Sequence, residues 1–234
     1  MSCYKNKAFV FLAKPRGDSV IAYASWTGTR TTLHALQQAG WRLLMSPETL
    51  KRIKGKTAPV WPDGTPAAYA LDNGAWTAYQ KGKPFDVAAF EWAVDTIGQG
   101  ADWVVMPDCV GDKAETLRMA EQWHGRLDGM RVLFAVQDGM TVDEVAHWLG
   151  KTWGLFVGGT TEWKLATIHQ WGALAKEHGK WCHVGRVNTG KRIRLCYAHG
   201  VNSIDGTSVT RFPKTLTYLD KCIRQASLFE EGAR

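Results

Sequence analysis

"DWVVMPDCVGDKAETLRMAEQWHGRL", residues 102–127, holds both halves of one folding unit. Trp103 to Met106 is a short apolar run that breaks at Pro107 and Asp108, as a buried strand does where it meets its exit loop. From Lys113 to Leu127 the pattern turns helix-like. The same alternation runs through the chain. Strand candidates are "AFVFLA" (8–13) or "VIAYAS" (20–25), then "WRLLMS" (41–46), "AAYALD" (67–72), "DWVVMPD" (102–108), "VLFAVQD" (132–138), "GLFVGG" (154–159), "WCHVGRV" (181–187) and "NSIDG" (202–206). Between them lie helical patterns at 86–100, 141–150, 162–179 and 190–200, each ending in a glycine suited to a helix C-cap. Strand then helix, repeated seven or eight times, predicts a parallel sheet with helical crossovers. A closed (β/α)₈ barrel is the natural solution at this length, with an open doubly wound sheet as the alternative. No repeat, low-complexity tract or linker divides residues 1–234, so one domain is expected, closed by a helix over 215–234.

The composition narrows the partners. Of 234 residues, 45% are hydrophobic and 22% charged, which suits a packed globular chain. Lys plus Arg outnumber Asp plus Glu by 29 to 22, a balance of +7 that leans toward an anionic partner. Two basic clusters add to it: Lys51, Arg52, Lys54 and Lys56, then Arg186, Lys191, Arg192 and Arg194. Each is equally readable as a solvated surface. Cys3, Cys109, Cys182, Cys196 and Cys222 are odd in number and form no CxxC, which speaks against a disulfide framework and for a reducing cytoplasm. No run approaches the ~18 apolar residues of a membrane span. The opening "MSCYKNKAFVFLAKPRGD" is a poor secretory signal.

In a barrel of this kind the chemistry gathers at the C-terminal ends of the strands. Those ends read "LDNGAW" (71–76), "MPDCVGD" (106–112), "AVQDG" (135–139), "FVGGTTE" (156–162), "HVGRVN" (183–188) and "SIDGTS" (203–208). Asp205 alone has a bland explanation, because Asp-Gly is a strong turn signal. Six polar or glycine-bearing ends converging on one mouth do not. Two acids on different strands, Asp72 and Asp205, suit substitution at an anomeric carbon, one attacking while the other handles the leaving group's proton. Asp108 and Gln137 offer acceptors and an amide donor matching the Watson–Crick edge of a purine. Gly158 and Gly159 allow backbone to approach a ligand closely. Trp76 suits stacking on a flat base, or equally a place in the core. Without GxxxxGK[ST], a GxGxxG after a strand or HExxH, neither a nucleotide cofactor nor a catalytic metal is expected.

Taken together and in order, "LDNGAW", "MPDCV", "AVQDG", "FVGGTTE", "HVGRV" and "IDGTSVTR" resemble the motifs of the tRNA-guanine transglycosylases over residues 41 to 213. That superfamily uses a (β/α)₈ barrel to exchange guanine for a free 7-deazaguanine base through a covalent intermediate. The resemblance implies that Asp205 is the nucleophile at C1′ and Asp72 the acid/base. It implies that Asp108, with Cys109 in the same motif, Gln137, Gly158 and Gly159 read the base, that Trp76 stacks on it, and that Val184 and Gly185 pack on its other face. Arg211, six residues past the nucleophile, and Arg186, Lys191 and Arg192 are expected to meet nucleic acid.

The departures point to a subgroup. Only Cys222 follows Asp205, so the zinc-binding subdomain of the tRNA enzymes is not expected. Short length and basic charge are more similar to the phage and bacterial DNA 7-deazaguanine transglycosylases, the DpdA group. The expected enzyme is therefore a DNA-guanine transglycosylase of the cytoplasm, the host's if phage-encoded, working without cofactor and as a homodimer or with a partner protein. A minimal tRNA-guanine transglycosylase and a non-catalytic purine- or nucleic-acid-binding barrel are the alternatives. Asn73 stands where serine is usual, Ala75 where glycine is, and Glu162 lies nearer the glycine pair than the family's glutamate, so a cyano or amido 7-substituent is expected.

Overall fold

Eight short parallel strands close in chain order: β1 (Ile21–Ser25), β2 (Arg42–Met45), β3 (Tyr69–Leu71), β4 (Val104–Val105), β5 (Val132–Val136), β6 (Gly154–Val157), β7 (Trp181–Val184) and β8 (Ser203–Gly206), with β8 pairing back onto β1. The computed structural model describes residues 20–54 and 57–231, the last six by backbone alone. The closed barrel is thus the solution adopted, and the open sheet is not. Residues 20–25, rather than 8–13, supply the first strand; the latter stretch, Cys3 and Lys56 lie outside the described residues.

Helices α1 (Arg30–Ala39), α2 (Pro47–Arg52), α3 (Ala75–Gln80), α4 (Val87–Ile97), α5 (Lys113–Trp123), α6 (Val142–Lys151), α7 (Thr161–Glu177), α8 (Gly190–Ala198), α9 (Ser208–Arg211) and α10 (Thr215–Glu231) surround the sheet. Short polar side chains start many of them by accepting an otherwise orphaned backbone N–H. Asp86 caps α4 and Asp112 caps α5, each at 3.0 Å, while Thr141 and Glu144 form a capping box at α6. Because the last strand residue and the cap are only a few residues apart, the strand ends are held tightly at one mouth.

Strand alternation divides the core in two. Tyr23, Leu44, Ala70, Trp103, Val105, Leu133 and Ala135 fill the barrel interior. Their neighbours, such as Leu43, Leu71, Val104, Phe134 and Val184, face the helix layer with Leu36, Phe90 and Trp171. Truncating one of these fully buried side chains costs about 2–5 kcal/mol. Among the described residues no helix is long and apolar enough to cross a membrane.

Candidate active site at the barrel mouth

The C-terminal ends of the strands enclose a cavity of about 420 Å³, within the range of small-molecule sites. Asp72, Trp76, Asp108, Gln137, Gly158, Gly159, Arg186 and Asp205 all line it. Residues scattered over more than 130 positions therefore meet in one site.

Asp205 is a residue of β8 and not of a turn. Gly206 continues the strand, and a Cβ there would fall 2.7 Å from both Asn188 Oδ1 and the Val187 carbonyl. The Asp205 side chain turns inward, where Oδ1 lies 3.0 Å from His183 Nε2 and Oδ2 accepts the Arg186 N–H at 3.2 Å. Asp72 follows β3, where the backbone of Gly74 and Asn73 favours its ionised form. This does not offset its surroundings: burial, then the charges of Asp205 and Asp108, push its pKa up to about 7. At neutral pH Asp72 is poised to give or take a proton.

Asp108 is fixed from both sides. Asn73 Nδ2 donates to Oδ1 at 2.6 Å and Gln137 Nε2 to Oδ2 at 2.5 Å. Burial nevertheless raises its pKa to about 6, against the lowering effect of those bonds and of Arg186. Gln137 is oriented in turn because its Oε1 accepts the Gly159 N–H at 3.2 Å. Asn73 gives its second N–H to the Met106 carbonyl at 2.8 Å and its oxygen accepts the Ala75 N–H at 2.9 Å, so it positions Asp108 and has no N–H left for a ligand. Gln137 keeps one N–H and Asp108 keeps lone pairs, all at the cavity wall.

Arg186 closes the opposite side. Its guanidinium carbon sits 3.9 Å from the centroid of the Trp76 ring, and Nη2 donates to the Gly159 carbonyl. Its backbone is left-handed, φ 59°, a conformation that costs a non-glycine residue about 1 kcal/mol or more and persists only where contacts enforce it. Here the bond to Asp205, the stack and the Gly159 contact do so. Lys164 of α7 is buried and donates to the Gly185 carbonyl; burial, then nearby Arg186, holds its pKa down to about 8.

Other expected site residues lie outside the cavity wall. Val184 faces the helix layer because alternation turns it opposite to His183 and Gly185, so it cannot pack on a ligand in the cavity. Gly185 stays close, since a Cβ there would come within 3.3 Å of Asp205 Oδ1. Cys109 is held outside the cavity wall, its N–H donating to Thr116 Oγ1 at 3.0 Å; Val110 lines the cavity instead. Lys191 and Arg192 sit on the first turn of α8 and Arg211 ends α9, none of them in the cavity wall. Glu162 is exposed on the first turn of α7. Missed in the sequence were His183, Phe156 and Lys164. His183 had one legible signal: it stands two residues before Gly185 on a strand whose mouth-facing positions alternate.

Among the described residues no group of three or more His, Cys, Asp or Glu is arranged as metal ligands. No protein-family model matches the chain, and no curated protein matches it either.

Proposed function

We propose that the barrel mouth is the active site of a base-exchange enzyme of the tRNA-guanine transglycosylase type, replacing guanine in DNA with a 7-deazaguanine. The observation that carries this reading is the pairing of two differently prepared acids on one cavity. Asp72 is pushed to about 7, the range of a proton carrier at neutral pH, whereas Asp205 accepts the Arg186 N–H at Oδ2 and has His183 Nε2 3.0 Å from Oδ1.

The chemistry follows from these two states. Asp205 forms a bond to C1′ of the target nucleoside as the C1′–N9 bond breaks, and the electron pair of that bond leaves on guanine. Asp72 supplies the proton that neutralises the departing base. The incoming 7-deazaguanine returns a proton to Asp72, its N9 bonds to C1′, and the Asp205 ester oxygen leaves as carboxylate. Two inversions give net retention.

The base-reading groups suit guanine. The spare Gln137 N–H matches O6, and the spare lone pairs of Asp108 match N1–H and the 2-amino group. Trp76 offers its ring face once Arg186 moves off it. A duplex base must leave its stack to reach such a cavity, at a cost of a few kcal/mol that is smaller in a single strand. Exposed Lys191 and Arg211, with half-exposed Arg192, are the basic side chains we assign to the phosphate backbone. We assign DNA rather than tRNA because Cys222 is buried in the core and, among the described residues, no group of three or more His, Cys, Asp or Glu is arranged to hold the zinc of the tRNA enzymes. The four described cysteines are free thiols, which suits a cytoplasmic setting.

The test is incubation with radiolabelled guanine and either DNA or bulk tRNA, followed by precipitation and counting. Label in DNA alone is the expected result. Label in tRNA alone overturns the choice of polymer, and a protein that binds DNA but labels neither polymer is a binding barrel rather than an enzyme.

A further inference from the structure

His183 lies beneath Asp205 in a chain of hydrogen-bond contacts that begins at Trp181. Trp181 Nε1 is 2.8 Å from Ser203 Oγ, Ser203 Oγ is 2.8 Å from His183 Nδ1, and His183 Nε2 is 3.0 Å from Asp205 Oδ1. An indole nitrogen only donates, so Trp181 uses one lone pair of the serine oxygen. The serine proton is then free to point at Nδ1, which must be the unprotonated nitrogen, and the imidazole proton sits on Nε2, facing the carboxylate. In the opposite arrangement Ser203 accepts from both rings, its own buried proton goes without an acceptor, and an imidazole lone pair faces a carboxylate; burying a donor unpaired costs about 1–3 kcal/mol.

The fold builds this ladder from two neighbouring strands. Trp181 and His183 are alternate residues of β7, Ser203 and Asp205 of β8, and His183 is in register with Ser203. The imidazole has no route to water. Its ring centroid is 5.0 Å from Phe156, 4.5 Å from Trp103 and 5.9 Å from Tyr23. The charged groups acting on it are Asp205 on β8 and Lys164 on α7. Burial is the largest influence and lowers its pKa; Asp205 opposes that and Lys164 adds to it.

We propose that Trp181, Ser203 and His183 are positioning residues that hold the imidazole as its Nε2–H tautomer, and through it orient the Asp205 carboxylate, with Oδ2 as the attacking oxygen. The inference rests on Asp205 being the nucleophile. Oδ1 is tied to His183 at 3.0 Å and Oδ2 by the longer, 3.2 Å bond from Arg186 N–H. When Oδ2 bonds to C1′ and the C1′–N9 electrons leave on the base, Oδ1 becomes the ester carbonyl and keeps the same N–H donor.

The first test needs no substrate. In protein labelled with ¹⁵N-histidine, two-bond ¹H–¹⁵N correlation spectra at neutral pH distinguish the tautomers, with His183 identified as the signal lost in His183→Gln. A neutral Nε2–H ring is expected. An Nδ1–H ring or an imidazolium overturns the proposal, whether or not the protein exchanges bases. Kinetics give the second test. His183→Ala is expected to lower kcat for exchange about 10²-fold, the scale of a misplaced reacting group, with KM for the free base within about twofold. Ser203→Ala should lose part of this and Ser203→Thr recover it. A loss that falls on KM, or no loss in kcat, overturns the positioning role.

Discussion

The barrel carries buried acid at both ends of its interior, and the two ends treat it oppositely. Near the N-terminal end, Asp102 is matched: Arg42 Nη1 donates to its Oδ2 at 2.8 Å and the Tyr23 hydroxyl at 2.9 Å. At the mouth, Asp72, Asp108 and Asp205 share one cavity with the guanidinium of Arg186. The lower cluster stabilises the fold; the upper one works against it. An excess of like charge kept in a desolvated site, next to groups able to bind a flat ligand, is the feature that favours the proposed catalytic role of the mouth.

The largest effect expected from breaking this contrast is at Asp205. Asp205→Ala removes the proposed nucleophile and should lower base exchange by about 10⁴-fold or more, with no covalent DNA adduct trapped on denaturing gels. A variant that still formed the adduct would locate the nucleophile elsewhere.

Asp72→Asn comes next, with a loss of about 10²–10⁴-fold, the usual worth of a general acid/base. Because guanine departure needs Asp72 protonated, the wild-type rate of that step should fall above about pH 7, and this limb should vanish in the variant. Stability should respond with a definite sign. An acid raised from 3.8 to about 7 stabilises the fold most below the lower value, and that contribution is lost as pH rises through the upper one. Asp108, raised to about 6, acts in the same direction. Wild-type denaturation midpoints should therefore drop between about pH 4 and 7. Asp72→Asn should flatten the curve and be the more stable protein above pH 7, by on the order of 2–4 kcal/mol. A steeper curve in the variant would contradict the charge-excess reading.

Trp76→Ala tests the stacking face. Loss of base–aromatic stacking, about 1–3 kcal/mol per base, should raise KM for the free base roughly tenfold with kcat nearly unchanged. The smallest effect on exchange is expected at the other end of the barrel. Asp102→Asn should leave exchange within about twofold while lowering stability by about 2 kcal/mol, since it leaves Arg42 half-buried without its partner charge. If Asp102→Asn abolished exchange at unchanged stability, the two ends would not be the separate devices described.

Much of the mouth was legible in the sequence because a buried parallel strand is nearly all apolar, so a carboxylate or amide at its C-terminal edge stands out. Asp72, Asp108, Gln137 and Asp205 were found this way. Residues inside the apolar runs were not. His183 sits in "WCHVGRV", where its spacing from Gly185 gives the face it takes but not the partner it meets, and Lys164 in "EWKLATIHQW" reads as an ordinary helical lysine although its ammonium is buried against the Gly185 carbonyl. Val184 was misplaced for a related reason, because a motif names a segment whereas a strand sends successive side chains to opposite faces.

By itself the amino-acid sequence determined the alternation of strand and helix, the polar strand ends and the helix caps, since these depend on contacts a few residues long. Which ends meet, which face each residue takes and how each acid is prepared were decided only by closure of the barrel. Closure set Asp72 within reach of the charges of Asp108 and Asp205, paired Asp102 with Arg42, and stacked Trp181, Ser203 and His183 beneath Asp205. Desolvation and Coulomb interaction act through space, and distance along the chain carries no record of them.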